Sequence, residues 1–254
     1  MQKIIEKIKN KENSNHVIAN LDKFEEQQVV QRNQILSEID FKKINKAYDS
    51  EPWWYDVRGF LILTFAYQST LPSQVRLFGN NFGKEHLEVA VGSGSLLDLI
   101  LKWRALTNKP YSKITAFDYA EKMLAGALKK FSKRNDMQLL LADAAKMPFK
   151  ENSFDTINIA NAIHCLPNLI QSLDEMYRVL KPNGTLAGNV LLVPQGDSFW
   201  SKLASKINSW GIKKGILHKA YYQDEIIFLL EMRGFKITSS KITGNCFDFI
   251  ATKI

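Results

Sequence analysis

Three apolar runs in this chain carry an acid at or near their carboxyl ends. They are Glu88-Val-Ala90-Val-Gly92-Ser-Gly94-Ser95, the Ile114–Phe117 run ending at Asp118-Tyr119, and the Gln138–Leu141 run leading to Ala142-Asp143-Ala144. Small residues let the backbone approach a ligand closely, and open α/β sheets bind ligands beyond the carboxyl ends of their strands. Gly92 and Gly94 meet that need, although a tight strand-to-helix turn uses the same pair. A dinucleotide fingerprint asks for Gly or Ala three residues after the second glycine. Position 97 is Leu, which obstructs a pyrophosphate seat. Glu88 is unwelcome beside pyrophosphate but suits a cationic or ammonium-bearing ligand. Asp118 can accept from both hydroxyls of a ribose, and Asp143 from an adenine amino group. Either could instead cap the helix or turn that follows it. Three successive strands each ending in an acid are harder to explain by capping than by ligand binding.

Other residues could face a reacting partner. His164 is the nearest candidate general base, since neutral imidazole takes a proton from a hydroxyl nucleophile. The competing reading is a helix-start histidine that hydrogen-bonds locally. Trp53, Trp54 and Tyr55, with Tyr221 and Tyr222 further on, could wall a substrate pocket. Neighbouring aromatics serve core packing as often. Phe199, Trp200 and Trp210 fall between a strand and a late helix, where an insertion can form a lid.

The elements that must position these residues alternate. Strands are predicted at Leu87–Val91, Ile114–Phe117, Gln138–Leu141, Thr156–Ala160 and Gly184–Val193. Helices are predicted at Ser95–Leu106, Ala120–Phe131, Leu169–Leu180 and Glu225–Met232. Such alternation implies right-handed βαβ units and a parallel sheet. Phe235–Ser240 and Cys246–Lys253, joined through Gly244-Asn245, form an antiparallel pair. The fold class is α/β: a doubly wound, mostly parallel seven-stranded sheet with a C-terminal antiparallel strand and an N-terminal helical cap. Gly79 and Gly83 mark a loop, which sets residues 1–83 apart as cap and acceptor wall from residues 84–254.

Composition narrows the class. The chain has 254 residues, 45% of them hydrophobic, enough to bury one large α/β core. Cys165 and Cys246 are its only cysteines, and no His or Cys clusters with them at metal-ligand spacing. They read as free thiols in a reducing, cytoplasmic compartment, with no metal. The longest apolar run, Phe60–Tyr67, is too short to span a bilayer. The net charge of +8 raises the question of nucleic acid. The basic residues are scattered, and their densest cluster, Lys129, Lys130, Lys133 and Arg134, complements a helix C-terminus.

Taken together, these segments resemble the class I S-adenosylmethionine-dependent methyltransferases of the small-molecule branch, from about His86 to Lys253. Glu88–Gly94 resembles the family's first motif, with Ala90 in place of its first glycine. Asp118 with Met123 and Leu124 resembles the second, and Ala142-Asp143-Ala144 with Met147-Pro148-Phe149 the third. Asn161 through Pro167 resembles the fourth, and Arg178 through Gly184 the turn into the fifth strand. The resemblance implies S-adenosylmethionine as cofactor and S-adenosylhomocysteine as product. Glu88, Ala90, Gly92 and Gly94 would hold the methionine part, Asp118 with Tyr119 and Met123 the ribose side, and Asp143 with Ala144 the adenine. Asn161 would open the segment facing the methyl group. Its sequence lacks the Pro-Pro-aromatic pattern of members that methylate amide or base nitrogens. The implied activity is methyl transfer to a small-molecule acceptor. The alternatives are a non-catalytic cofactor- or partner-binding member, or an RNA methyltransferase whose lysines converge on the pocket mouth.

Overall fold

The computed structural model describes residues 69–254 except 198, 215 and 216, together with Ile62 and Tyr67. In chain order the elements are α1 (Leu71–Asn80), β1 (Glu85–Val89), α2 (Ser95–Leu106), β2 (Lys113–Asp118), α3 (Glu121–Lys130), β3 (Met137–Leu141), β4 (Phe154–Ile159), α4 (Leu169–Val179), β5 (Leu180–Leu191), α5 (Phe199–Lys213), α6 (Gln223–Glu231), β6 (Phe235–Thr243) and β7 (Cys246–Lys253). The seven strands lie in the order β3-β2-β1-β4-β5-β7-β6. The first five run parallel, and β7 pairs antiparallel with both β5 and β6. The expected doubly wound, mostly parallel seven-stranded sheet with its antiparallel C-terminal pair is the observed one; of the expected helical cap, the part ahead of residue 69 lies outside the described residues but for Ile62 and Tyr67.

Chemistry of the strands explains the arrangement. β1 and β4 bury Leu87, Val89, Ile157 and Ile159, as parallel strands covered on both faces must. Each intervening helix turns one apolar face inward; α3, for example, buries Met123, Leu124 and Ala127. The β6–β7 hairpin closes with Thr243 opposite Cys246, through Gly244 at φ +57°. β6 is an edge strand, and its exposed Ser239, Ser240 and Lys241 leave it little to offer another chain.

Two expectations change. Gly79 does not mark a loop: it lies inside α1, which Thr70 caps and Pro72 helps to start. A Cβ on Gly79 would sit 2.6 Å from Trp103 Cε3, so the missing side chain is what lets α1 seat on α2. The helix is fastened to the sheet behind it. Asn81 Nδ2 donates to Ile157 O at 2.9 Å and to Asn158 Oδ1 at 3.0 Å, and Thr185 Oγ1 donates to Asn81 Oδ1 at 2.6 Å. Residues 69–83 therefore pack in the same unit as the strands. The Lys181-Pro-Asn-Gly184 segment is likewise part of β5, which starts at Leu180 and carries a register shift opposite Phe154 and Thr156.

Candidate functional site

β1 is the point where strand order reverses, with β2 on one side and β4 on the other. Open α/β sheets bind ligands at such a crevice. A cavity of about 420 Å³ lies there, bounded by the ends of β1, β2 and β4, the loop after β3, the start of α1 and the inserted α5. That volume is within the range of ligand clefts, roughly 300–1,000 Å³.

The loop after β1 is shaped by its backbone. Ala90, Gly92 and Gly94 all hold positive φ, at 56°, 58° and 76°. A Cβ on Gly94 would come within 2.6 Å of the Phe131 ring, so that position excludes a side chain on both counts. Ala90 carries its methyl in the left-handed region, which costs roughly 1–2 kcal/mol for an L-residue. Ala90→Gly removes that strain but returns about 0.4–1 kcal/mol as unfolded-chain entropy. The expected result is a domain about 0.5 kcal/mol more stable, seen as a melting temperature raised by about 1–2 °C. A lowered melting temperature would show that Ala90 is not strained.

The acids expected at the strand ends all line this cavity, as do Ala90, Gly92, Tyr119, Met123, Ala144, Asn161 and His164. Gly94 lies one residue behind the wall, between Ser93 and Ser95. Glu88 Oε1 accepts from Asn158 Nδ2 at 2.8 Å and His86 Nε2 at 3.1 Å. Burial holds the His86 imidazole below its ordinary pKa despite the neighbouring Glu88. Two neutral donors thus orient the carboxylate. Asp118 Oδ2 accepts from Gly92 N at 2.7 Å and Oδ1 from Ala120 N at 2.8 Å. The carboxylate clasps the glycine loop and caps the turn into α3, and three backbone N–H groups, of Gly92, Tyr119 and Ala120, leave it acceptor capacity for a ligand. Burial raises the Asp118 pKa, and the backbone N–H groups of Ala120, Gly92 and Tyr119 oppose the rise. Asp143 Oδ1 accepts from Ala145 N at 2.8 Å. Its loop is held by the Glu175–Arg178 pair: Glu175 accepts from Met147 N at 2.7 Å, and Arg178 donates to Phe149 O at 2.8 Å.

Asn161, at φ +56°, spends its side chain inside the protein. Oδ1 accepts from Gln74 Nε2 at 2.9 Å and Asn189 Nδ2 at 2.8 Å; Nδ2 donates to Gln74 Oε1 at 3.0 Å. Its backbone N–H donates to Asn189 Oδ1 at 2.6 Å. The Asn161 carboxamide is thus fixed by Gln74 and Asn189 where it lines the cavity.

His164 sits in a short 3-10 turn, 5% exposed, with Nε2 in hydrogen-bond contact with the Tyr67 hydroxyl. Nδ1 takes a long 3.4 Å bond from Leu191 N–H, which puts the ring proton on Nε2, donated to Tyr67 Oη. Burial pushes the imidazolium pKa down to about 3. A base so weak is not matched to removing a proton near neutral pH. This corrects the expectation of a general base: His164 is neutral and holds Tyr67.

The aromatic expectations divide. Trp53, Trp54 and Tyr55 lie outside the described residues. Tyr221 is a correction: it is 1% exposed, bridges to Leu192 and belongs to the main core rather than the cavity. Tyr222 is another, since it caps α6 and is half exposed outside the cavity wall. The insertion does form a wall, through Ile207, Asn208, Trp210 and Gly211 of α5. Tyr67, Gln74, Asn189 and Asn208 were not singled out in the sequence. Only the apolar run ending at Tyr67 hinted at one of them. Asn208 stands out: it is 6% exposed, and neither Nδ2 nor Oδ1 has a hydrogen-bond partner. Such an orphaned group costs roughly 1–3 kcal/mol.

The cavity's charge is one-sided. Glu88, Asp118 and Asp143 line it, and no Lys or Arg is among its described lining residues. That set fits a cationic ligand with hydroxyl and amino groups, and it does not fit pyrophosphate. Among the described residues, no group of three or more His, Cys, Asp and Glu is placed to hold a metal ion. Nor is any helix there long and apolar enough to cross a membrane.

Comparison with known proteins agrees. Residues 87–188 match a family described as a methyltransferase domain. Over 148 residues the chain is 30% identical to demethylmenaquinone methyltransferase of Staphylococcus aureus, covering 57% of this chain and 55% of that one. The chain thus spans about half the length of the curated relatives it matches. A SAM-dependent methyltransferase from Aquifex aeolicus superposes with TM-score 0.55 at 22% identity, covering 76% of this chain and 93% of that one. Phosphoethanolamine N-methyltransferase 2 of Haemonchus contortus, in complex with S-adenosyl-L-methionine, superposes with TM-score 0.57 at 17% identity, covering 72% and 52%. These two likenesses concern the fold.

Proposed function

We infer that this chain is a class I S-adenosylmethionine-dependent methyltransferase, that the cavity binds S-adenosylmethionine and that the protein methylates a small-molecule acceptor, releasing S-adenosylhomocysteine. The observation that carries this reading is that, among the described lining residues, acids are the charged groups with no Lys or Arg beside them, at the switch point of the sheet. When bound, S-adenosylmethionine supplies an electrophilic methyl group on a sulfonium. Glu88 and the backbone of Ala90–Gly94 hold its amino-acid end. Asp118 receives the ribose with its remaining acceptor capacity, beside Tyr119 and Met123. Asp143 and Ala144 meet the adenine.

The acceptor side lies toward β5. Leu191, Leu217, Ile207 and Leu71 make it apolar and exclude water, and Tyr67, held by His164, offers it a hydrogen-bonding hydroxyl. In-line displacement asks mainly for alignment of donor and nucleophile, which such a dry, shaped wall provides. The described residues ahead of β1 contribute cover: Ile62, Tyr67, Leu71 and Gln74 stand at the cavity wall. Cys165 and Cys246, which are not joined in a disulfide, support a reducing cytoplasmic setting.

The test is release of S-adenosylhomocysteine in a screen of small acceptors headed by demethylmenaquinone, the compound named in the Staphylococcus relative. Acceptor-dependent release is expected for at least one ring-bearing, largely apolar compound. Cofactor binding with no release across the screen would favour a non-catalytic role. Release with RNA alone would move the protein to the nucleic-acid class.

A further inference from the structure

We propose that Asn208 is the residue that reads the acceptor, and that the acceptor is an uncharged, apolar-bodied molecule carrying a hydrogen-bond donor and acceptor side by side, as in a lactam, an amide or a hydroxy-ketone. The proposal rests on reading the cavity as a methyl-transfer site.

The first ground is contrast. The other carboxamides buried around the site are satisfied: Gln74, Asn161 and Asn189 bond one another, and Asn81 and Asn158 bond each other and the strands. Asn208 alone among these is 94% buried with both side-chain polar atoms unpartnered, and it lines the cavity. A carboxamide presents one N–H donor beside one C=O acceptor, so its complement is a neutral group with the reverse pair.

The second ground is position. Asn208 lies on α5, inserted between β5 and α6. Its neighbour Ile207 packs with Tyr67, Leu191 and Leu217 at the β5 end. β5 stands three strand spacings from β2, about 14 Å from the strand that carries Asp118. Asn208 is thus on the side away from the acids assigned to the cofactor. The third ground is charge. With no Lys or Arg among the described lining residues, a carboxylate-bearing acceptor finds no counter-ion, whereas a neutral donor–acceptor group needs none.

The experiment compares 2-quinolone, a neutral lactam, with naphthalene, a two-ring body of similar size without polar atoms. Dissociation constants are measured on the full chain saturated with S-adenosylhomocysteine, for the wild type, Asn208→Leu and Asn208→Ala. The wild type is expected to prefer 2-quinolone by about 10-fold or more, as for a site built around a specific hydrogen-bonding pair. Both variants are expected to lose that preference while binding S-adenosylhomocysteine as before. Asn208→Leu deletes an unpaired buried amide, so it is expected to fold; Asn208→Ala repeats the test without added bulk. A preference unchanged in the variants, or absent in the wild type, would overturn the proposal. Failure of the methyl-transfer reading registers separately, as no binding of S-adenosylhomocysteine by the wild type. The probe comparison is then made on the protein alone and still decides the role of Asn208.

Discussion

Asp118→Ala is expected to weaken S-adenosylmethionine binding by about 1.5–3 kcal/mol, or roughly 10- to 150-fold, as for hydrogen bonds to a charged group. Two contributions add. Direct bonds to the ribose are lost, and the Gly92 N–H at 2.7 Å and Ala120 N–H at 2.8 Å lose their acceptor, so the loop that must meet the cofactor relaxes. The second effect also lowers stability, by about 0.5–2 kcal/mol, the usual cost of deleting a capping side chain. Asp118→Asn separates the two. Its amide oxygen can serve one backbone N–H but not both, and it offers no charge. Titration calorimetry with urea unfolding on the same samples gives both numbers. A folded Asp118→Ala that binds S-adenosylmethionine as the wild type does would reduce Asp118 to a helix and loop cap.

The second large effect is a loss of stability on mild acidification that depends on His164. Its pKa is about 3 in the folded protein against 6.5 for an ordinary histidine. Between those values the unfolded chain binds a proton that the folded one refuses. The stabilising contribution is therefore complete above pH 6.5 and is lost progressively as pH falls toward 3. At pH 5, 1.5 units below the unfolded value, the loss amounts to about 2 kcal/mol. His164→Gln keeps a polar partner for Tyr67 without titrating. The variant is expected to lose about 2 kcal/mol less than the wild type between pH 7.5 and pH 5, in urea unfolding at the two pH values. Burial also lowers the pKa of His86 and His218, but these act in both proteins and cancel in the comparison. Parallel pH profiles would mean that His164 is charged in the folded state, and its role as a neutral support for Tyr67 would fall.

Much of the frame was legible because local signals agreed with one another. Cys246–Lys253 is legible residue for residue as β7, since a largely apolar run follows the Gly244-Asn245 turn. Asp118 is legible as a strand end because the four-residue run Ile114–Phe117 precedes it and helix formers follow. Gly79 misled because the sequence does not show what a glycine is near; the Trp103 ring 2.6 Å from its would-be Cβ is a tertiary fact. The signals for α1 were nonetheless present in Thr70 and Pro72. Tyr221 and Tyr222 are adjacent and alike in sequence. One is fixed in the core by a bridge to Leu192 after a long insertion, and the other caps a helix, a difference that only the path of the chain sets. The same holds for Gln74, Asn161 and Asn189, polar residues more than 25 positions apart whose mutual bonds carry no local pattern.

The central claim is that an acid-lined cavity at the β1 switch point takes a sulfonium cofactor and refuses a pyrophosphate one. The direct measurement is calorimetric titration of the full chain with S-adenosylmethionine, S-adenosylhomocysteine and NAD under one buffer. Glu88, Asp118 and Asp143, with Leu97 where a dinucleotide site needs a small residue, predict saturable binding of the first two and none of NAD at the same concentrations. NAD binding as tight as that of S-adenosylmethionine, or tighter, would contradict the account.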